Sequence, residues 1–241
     1  MTMSAPLPID EKERIDALHR YRILDTVPEK GFDDLTLLAS QVCEVPIAII
    51  SLVDENRVWF KSKLGFSASQ ISRDIAFCAY AILERRVFVV PDALKDPRFS
   101  SYPSVVSNPK IRFYAGAPLV SDDNHAIGAL CVLDYVPRQL NEKQLDALNA
   151  LSRQVVAQME LRRNLEELRM ALADIKVLRG LLPICAWCKR VRDDDGYWTM
   201  VETYVAEHSH ANFTHGICPE CTTKHLTAHA VRLENQISGG F

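Results

Sequence analysis

Arg112-Phe-Tyr-Ala-Gly-Ala-Pro-Leu-Val120 and Ala126-Ile-Gly-Ala-Leu-Cys-Val-Leu133 are two apolar runs joined by the polar link Ser121-Asp-Asp-Asn-His125. Runs of this length around a short polar connection read as an antiparallel hairpin. A second hairpin lies upstream. Pro46-Ile-Ala-Ile-Ile-Ser-Leu-Val53 is apolar on both alternating faces, and the turn Asp54-Glu55-Asn56 leads into Val58, Trp59 and Phe60. A strand apolar on both faces reads as part of a central hairpin. Val87–Val90 adds another strand, Ala79–Glu84 a short helix, while Ser62–Phe77 is polar and irregular and Pro91–Pro109 is a proline-rich loop. Strands that arrive in adjacent pairs, with helices outside them, predict an antiparallel sheet with helices packed on one side, hence α+β.

The helices follow from a period near 3.6. Asp10–Leu24 places Ile15, Leu18 and Ile23 among charges with Asp10 as N-cap, and Gly31–Val42 repeats the signal. From Asn141 to Leu178 neither Pro nor Gly interrupts, and Leu161, Leu165, Leu168, Leu172 and Ile175 step by four, three, four and three. That spacing predicts a helix whose first half packs on its own sheet and whose second half is a coiled-coil seam for a homodimer. Gly180 ends it and Pro183 prevents resumption. The expected organisation is an N-terminal helix region at 1–30, a main domain at 31–162 whose last helix begins near 141, a linker helix at 163–180 and a small module at 181–241.

Length and charge narrow the function classes. The 241 residues carry a net charge of −3, which gives no field to gather nucleic acid or anionic lipid. Met1–Arg14 lacks the pattern of a secretory signal, and the longest apolar run, Val45–Val53, is far short of the roughly 20 residues that cross a membrane. Seven cysteines without an export signal point to free thiols and metal ligands in a reducing cytoplasm.

Four of those cysteines form a repeated spacing. Cys185-Ala-Trp-Cys188 and Cys218-Pro-Glu-Cys221 are 29 residues apart. Two sulfurs three positions apart on a tight turn can face one ion, and two such pairs complete the closed thiolate tetrahedron that structural zinc favours. The expected ligands are Cys185, Cys188, Cys218 and Cys221. Lys189, Arg190 and Arg192 would offset the site's negative charge, and the start of a helical stretch at Thr222–Leu233 would favour thiolate at the second pair. The pattern resembles a treble clef or zinc ribbon, with Gly196-Tyr197-Trp198, Val201, Tyr204 and Val205 supplying a little core. Alternatives are a pair of redox dithiols, and a mixed site in which His208, His210 or His215 replaces one cysteine. Nucleic-acid binding is disfavoured, because residues 180–241 hold five Lys and Arg against seven Asp and Glu.

A wider resemblance is carried by Tyr-Arg-Ile-Leu-Asp-Thr at 21–26, Phe-Asp-Asp-Leu-Thr at 32–36 and Pro-Ile-Ala-Ile-Ile-Ser-Leu-Val-Asp at 46–54. It continues through Arg-Asp-Ile-Ala-Phe-Cys-Ala-Tyr-Ala-Ile at 73–82, Asp-Ala-Leu-Lys-Asp-Pro-Arg-Phe at 92–99, Ile-Arg-Phe-Tyr-Ala-Gly-Ala-Pro-Leu at 111–119 and Ile-Gly-Ala-Leu-Cys-Val-Leu-Asp at 127–134. These stretches resemble a GAF domain up to about Arg162. The cysteine-bearing tail resembles a segment at the C-terminus of bacterial sensory proteins that carry GAF or PAS modules. The resemblance implies a sensory domain with a sheet of five or six strands whose face and covering loops enclose a small ligand, near Phe77, Cys78, Tyr80, Arg112 and Tyr114. Ligands of that family range from cyclic nucleotides to tetrapyrroles. The motifs of its cyclic-nucleotide-binding and chromophore-attaching members are not matched here, and Tyr80 stands where relatives often have His. The competing reading makes Phe77, Tyr114 and Ile127 core and Arg112 an ion-pair partner, with Asp96-Pro97-Arg98-Phe99 shaping a turn.

No P-loop, nucleophile elbow or kinase signature is present. The sequence therefore predicts a non-enzymatic signalling protein that recognises a small molecule or signalling partner. The rival is a thiol-based redox sensor or reductase using Cys78, Cys131 or the paired cysteines.

Overall fold

In the computed structural model the apolar runs become six antiparallel strands, β1 (Ile47–Val53), β2 (Arg57–Leu64), β3 (Gln70–Ser72), β4 (Phe88–Val90), β5 (Phe113–Val120) and β6 (Ala126–Asp134). They pair in the order β3-β2-β1-β6-β5-β4, so β1 and β6 are central. The structure describes residues 4–179, 183–193, 196–208, 213–214 and 216–223, and the chain divides into two units, Met1–Ala171 and Leu172–Phe241. The sheet belongs to the first. Its helices are α1 (Glu11–Arg20), α2 (Lys30–Cys43), α3 (Cys78–Ala81), α4 (Pro103–Val106) and most of α5 (Glu142–Arg179).

The strand period of two sorts the side chains onto two faces. On one face Ile50, Leu52, Phe113, Ala115, Leu130 and Val132 meet Leu18 of α1, Phe32 and Ala39 of α2, and Leu148, Val155 and Met159 of α5. On the other, Ile49, Phe60, Tyr114, Ala129 and Cys131 meet Phe77, Phe99 and Tyr102 from the segments between β3 and β5. Helices were expected on one side only. The structure adds a second layer, because all seven residues of β1 are buried and its outer face also needs cover.

Three local differences have simple causes. The three-residue strand β3 lies within the stretch read as irregular; it carries one apolar residue, Ile71, opposite Val58, too little to leave an alternation. The first helix stops at Arg20 because Arg22 and Asp25 take left-handed φ values of 46° and 57°, turning the chain so that Ile23 enters the core. Asp10 does accept the Arg14 N–H through its carbonyl at 2.9 Å, but its carboxylate leaves the helix end and holds the His125 ring at 2.8 Å. That bond lowers the pKa of the Asp10 carboxyl below its usual range.

Along α5 burial ends at Met159, and Leu161, Leu165, Leu168 and Leu172 stand about half exposed. Among the described residues no helix is long and apolar enough to cross a membrane.

The second unit contains β7 (Val191–Arg192), β8 (Trp198–Thr199) and α6 (Val201–His208), with Ile184 bridged to Val191. Val191 is buried, whereas Tyr197 and Trp198, expected in a core, are 72% and 47% exposed. Two strands of two residues are too small to cover their rings. Val201, Tyr204 and Val205 are half-buried along α6. Gly180, His210, His215 and the expected helix beyond Thr223 lie outside the described residues.

Candidate functional site

The second sheet face and the segments over it form a partly open cavity of about 70 Å³, lined by Ile49, Phe77, Cys78, Ile111, Tyr114 and Cys131 among others. Its floor follows from sheet register: Cys131 on β6 faces Ile49 on β1 and Gly116 on β5. Gly116 has a specific use. A Cβ there would lie 2.2 Å from the Tyr114 hydroxyl, so only glycine lets that ring lie back along its own strand. The hydroxyl then reaches within 3.1 Å of Cys131 Sγ. Phe77 stacks on the Tyr114 ring at 5.0 Å and 14°, which sets the wall from which Cys78 projects.

Cys78 Sγ lies 3.4 Å from Cys131 Sγ. Ser51 donates its hydroxyl to the Ala129 carbonyl at 2.9 Å and stands 3.5 Å from Cys131 Sγ. Burial pushes the Cys131 thiol and the Tyr114 phenol well above their usual ranges. Cys78 is held down, first by its hydrogen bond with Cys131.

Of the five residues that the family resemblance assigned to a pocket, Phe77, Cys78 and Tyr114 line this cavity. Tyr80 and Arg112 are not among the residues that line it. Tyr80 packs edge-on to Phe99 at 5.0 Å beneath the Arg98 guanidinium. Arg112 donates two hydrogen bonds to Asp92, at 2.8 and 2.9 Å, and these lower the Asp92 carboxyl. Asp96 accepts the Arg98 backbone N–H at 3.0 Å, the turn geometry its sequence suggested. Ser51, Gly116 and Ile111 were not singled out as site residues; a glycine inside a strand run was the one legible sign of a close approach.

Replacing Gly116 by Ala is expected to displace the Tyr114 ring, to break its contact with Cys131 and to cost about 1–3 kcal/mol as overpacking. Urea unfolding of the variant measures this; an unchanged midpoint contradicts it.

The paired cysteines occupy two local turns. Cys188 donates its N–H to Cys185 Sγ at 3.4 Å, and the turn closes through a 2.8 Å bond from the Cys185 N–H to the Arg190 carbonyl, with Lys189 at φ 61°. Cys221 likewise donates to Cys218 Sγ at 3.5 Å, at the start of a helical turn over residues 219–223. These N–H groups lower the Cys185 and Cys218 thiols, chiefly through Cys188 and Cys221 respectively. Among the described residues, no group of three or more His, Cys, Asp or Glu side chains is gathered as a metal site would require. Each pair is formed, and a joined four-sulfur site is not.

Comparison with known proteins gives four findings. The chain is 39% identical over 160 residues to cyclic di-GMP phosphodiesterase PA2567 of Pseudomonas aeruginosa, covering 66% of this chain but 27% of that protein. It is similar to a domain of a putative two-component sensor histidine kinase from Sinorhizobium meliloti 1021, with TM-score 0.48, 17% identity and coverage of 58% and 97% of the respective chains. It is similar also to the GAF domain region of a putative membrane protein from Geobacter sulfurreducens, with TM-score 0.45, 20% identity and coverage of 62% and 99%. Residues 28–159, more than half of the chain and the whole six-stranded sheet with its cavity, match the GAF domain, and the chain therefore belongs to the GAF domain family.

Proposed function

We propose that this chain is a non-enzymatic cytoplasmic signalling protein whose GAF domain senses a compact small molecule in the cavity beneath Phe77, Cys78 and Tyr114. The cavity carries this reading. At about 30 Å³ per water, 70 Å³ holds roughly two or three water-sized groups, and its walls are mostly apolar. A cyclic nucleotide or tetrapyrrole needs several hundred cubic ångströms, so in this conformation the site favours a much smaller ligand. The relative's name concerns cyclic di-GMP turnover, but the chain spans about a quarter of that protein. The likeness supports placement in signalling, with no carry-over of phosphodiesterase activity.

A route from the cavity to α5 supports the sensory reading. On β6, Cys131 faces the cavity while its neighbours Leu130 and Val132 belong to the buried cluster on the other face that also holds Val155 and Met159 of α5. Occupancy that shifts β6 therefore acts on the helix through the buried cluster that the strand and α5 share. Beyond Met159 the exposed leucines of α5 match the heptad seam of a homodimer. Replacing Leu168 and Leu172 together by Glu is expected to give a folded monomer by light scattering; an unchanged assembly state removes the seam. Zinc completes the proposal, held by Cys185, Cys188, Cys218 and Cys221. Its support is the donor set: four thiols on two turns whose N–H groups already favour thiolate at Cys185 and Cys218. When bound, the ion would fix the two turns to one another.

Xenon is a direct test of the cavity, because it fills dry apolar space without needing polar partners. It is expected to shift the methyl resonances of Ile49, Ile75, Ile111 and Leu133 selectively. If those methyls stay unmoved while others respond, the sensory site lies elsewhere.

A further inference from the structure

All seven cysteines are free, and three of them are buried. Cys43 is packed in the α2 layer, where burial pushes its thiol up to about 11. It is an inert core residue. Cys78 and Cys131 differ in three ways: they face each other at 3.4 Å, both line the cavity, and two further polar groups, the Tyr114 and Ser51 hydroxyls, lie within 3.5 Å of Cys131 Sγ. An apolar cavity wall needs none of this chemistry. Two thiols and a phenol on one small void, with the Ser51 hydroxyl against Cys131 outside its lining, make a site for a small polar oxidant better than a site for hydrocarbon.

We propose that Cys78 and Cys131 form a reversible disulfide when a small hydroperoxide enters the cavity, so that this GAF domain reports oxidant. This goes beyond the sensory reading above and does not depend on zinc. Size is compatible: hydrogen peroxide has two heavy atoms, and the cavity holds about two or three water-sized groups. Reach is compatible too. The sulfurs must approach by about 1.4 Å to the bond length of about 2.05 Å, within what side-chain rotation and a small shift of four-residue α3 supply.

The chemistry balances as follows. The Cys78 thiolate attacks the terminal oxygen of the hydroperoxide; an S–O bond forms, the O–O bond breaks, and the alcohol or water leaves with the proton that Cys78 released. Cys131 sulfur then attacks the Cys78 sulfenic acid; the S–S bond forms, the S–O bond breaks, and hydroxide departs as water with the Cys131 proton. Two thiols lose two electrons and the peroxide gains two. The order of the sulfurs follows from their placement: Cys78 rides on the four-residue α3, which can shift toward an entering peroxide, while Cys131 is fixed on a central strand paired on both sides and waits for the second step. The new bond ties α3 to β6, the strand whose opposite face shares a buried cluster with α5.

The test uses the full chain, about one equivalent of hydrogen peroxide, and differential alkylation followed by peptide mass mapping. The expected result is a Cys78–Cys131 disulfide in the native protein, reversed by dithiothreitol, with Cys43 remaining a free thiol. Peptide mapping separates this bond from any formed among the four tail cysteines. Cys131→Ser is expected to leave Cys78 as a sulfenic acid trapped by dimedone, while Cys43→Ser should match the parent. The proposal is overturned if Cys78 and Cys131 both remain free thiols after native oxidation, or if they pair only once the protein is unfolded. Mapping of the parent chain decides the matter even if a variant fails to fold.

Discussion

Replacement of Cys218 by Ser is expected to abolish zinc binding and to unfold residues 183–223 while the first unit stays folded. The reason is the small core of the second unit. Beyond the end of α5, its regular structure among the described residues is two strands of two residues, an eight-residue helix and a short helical turn, and Val191 is its one fully buried apolar side chain among those residues. Trp187 is 95% exposed, and Ile217 is 73% exposed. A segment of this size offsets little of its conformational entropy by burial alone, and the proposed zinc would supply the difference. Structural zinc contributes about 10–16 kcal/mol in zinc-finger peptides near neutral pH, enough to decide folding outright. Native mass spectrometry should find one zinc per parent chain and none in the variant, and limited proteolysis should cut the variant's tail first. A parent protein with no bound metal, or an unchanged cleavage pattern, ends the zinc proposal. Chelation should reproduce the variant's behaviour, more readily in acid, because thiolate ligands must lose their protons to bind.

Glu11→Ala is expected to destabilise the first unit by about 3–5 kcal/mol, the range for removing one partner of a buried ion cluster. Glu11 accepts two hydrogen bonds from Arg14, both 2.8 Å, and two from Arg73, at 2.5 and 3.2 Å. The Arg14 and Arg73 side chains are 1% and 8% exposed, so without the carboxylate two cations remain buried with only carbonyls such as Val53 and Asp54 as partners. This cluster joins α1 to the end of β1 and to the short 3₁₀ turn Arg73–Ile75.

The same carboxylate sets a pH dependence. Burial raises the Glu11 pKa, but the hydrogen bonds from Arg14 and Arg73 outweigh it and bring the value from 4.5 to about 2. A group whose folded pKa is depressed contributes fully above its unfolded value, and the contribution is lost as pH falls through the folded value. The window is thus pH 4.5 down to about 2. The full shift would amount to about 3 kcal/mol, and solvent screening of this partly exposed carboxylate reduces it to about 1–2 kcal/mol. Urea unfolding of parent and Glu11→Gln chains checks the sign: their difference should shrink across that window. Parallel acid loss in both would show that Glu11 is not the titrating group.

How much of this was legible in advance depended on distance along the chain. β1, β5 and β6 were readable because a strand's two faces are written in alternate residues of one segment. The leucine series of α5 was readable for the same reason at the helical period. β3 was not, since three residues with one apolar side chain carry no period. In the candidate site, Cys78 and Tyr80 sit two positions apart in α3, a rotation of about 200°, so one faces the cavity and the other turns toward Phe99 and Arg98. Arg112 had a nearer counter-charge, Asp92, than anything an apolar cavity offers.

The sequence by itself determined which residues could share a face and which cysteines could share a turn, because both are fixed by spacing within a few residues. The tertiary structure alone decided that Cys78, 53 positions before Cys131, would meet it across a void. That meeting depends on sheet register, which sets Cys131 opposite Ile49 and Gly116, and on Phe77 stacking over Tyr114 to bring α3 down. Register and stacking are contacts between distant segments, and no local period encodes them.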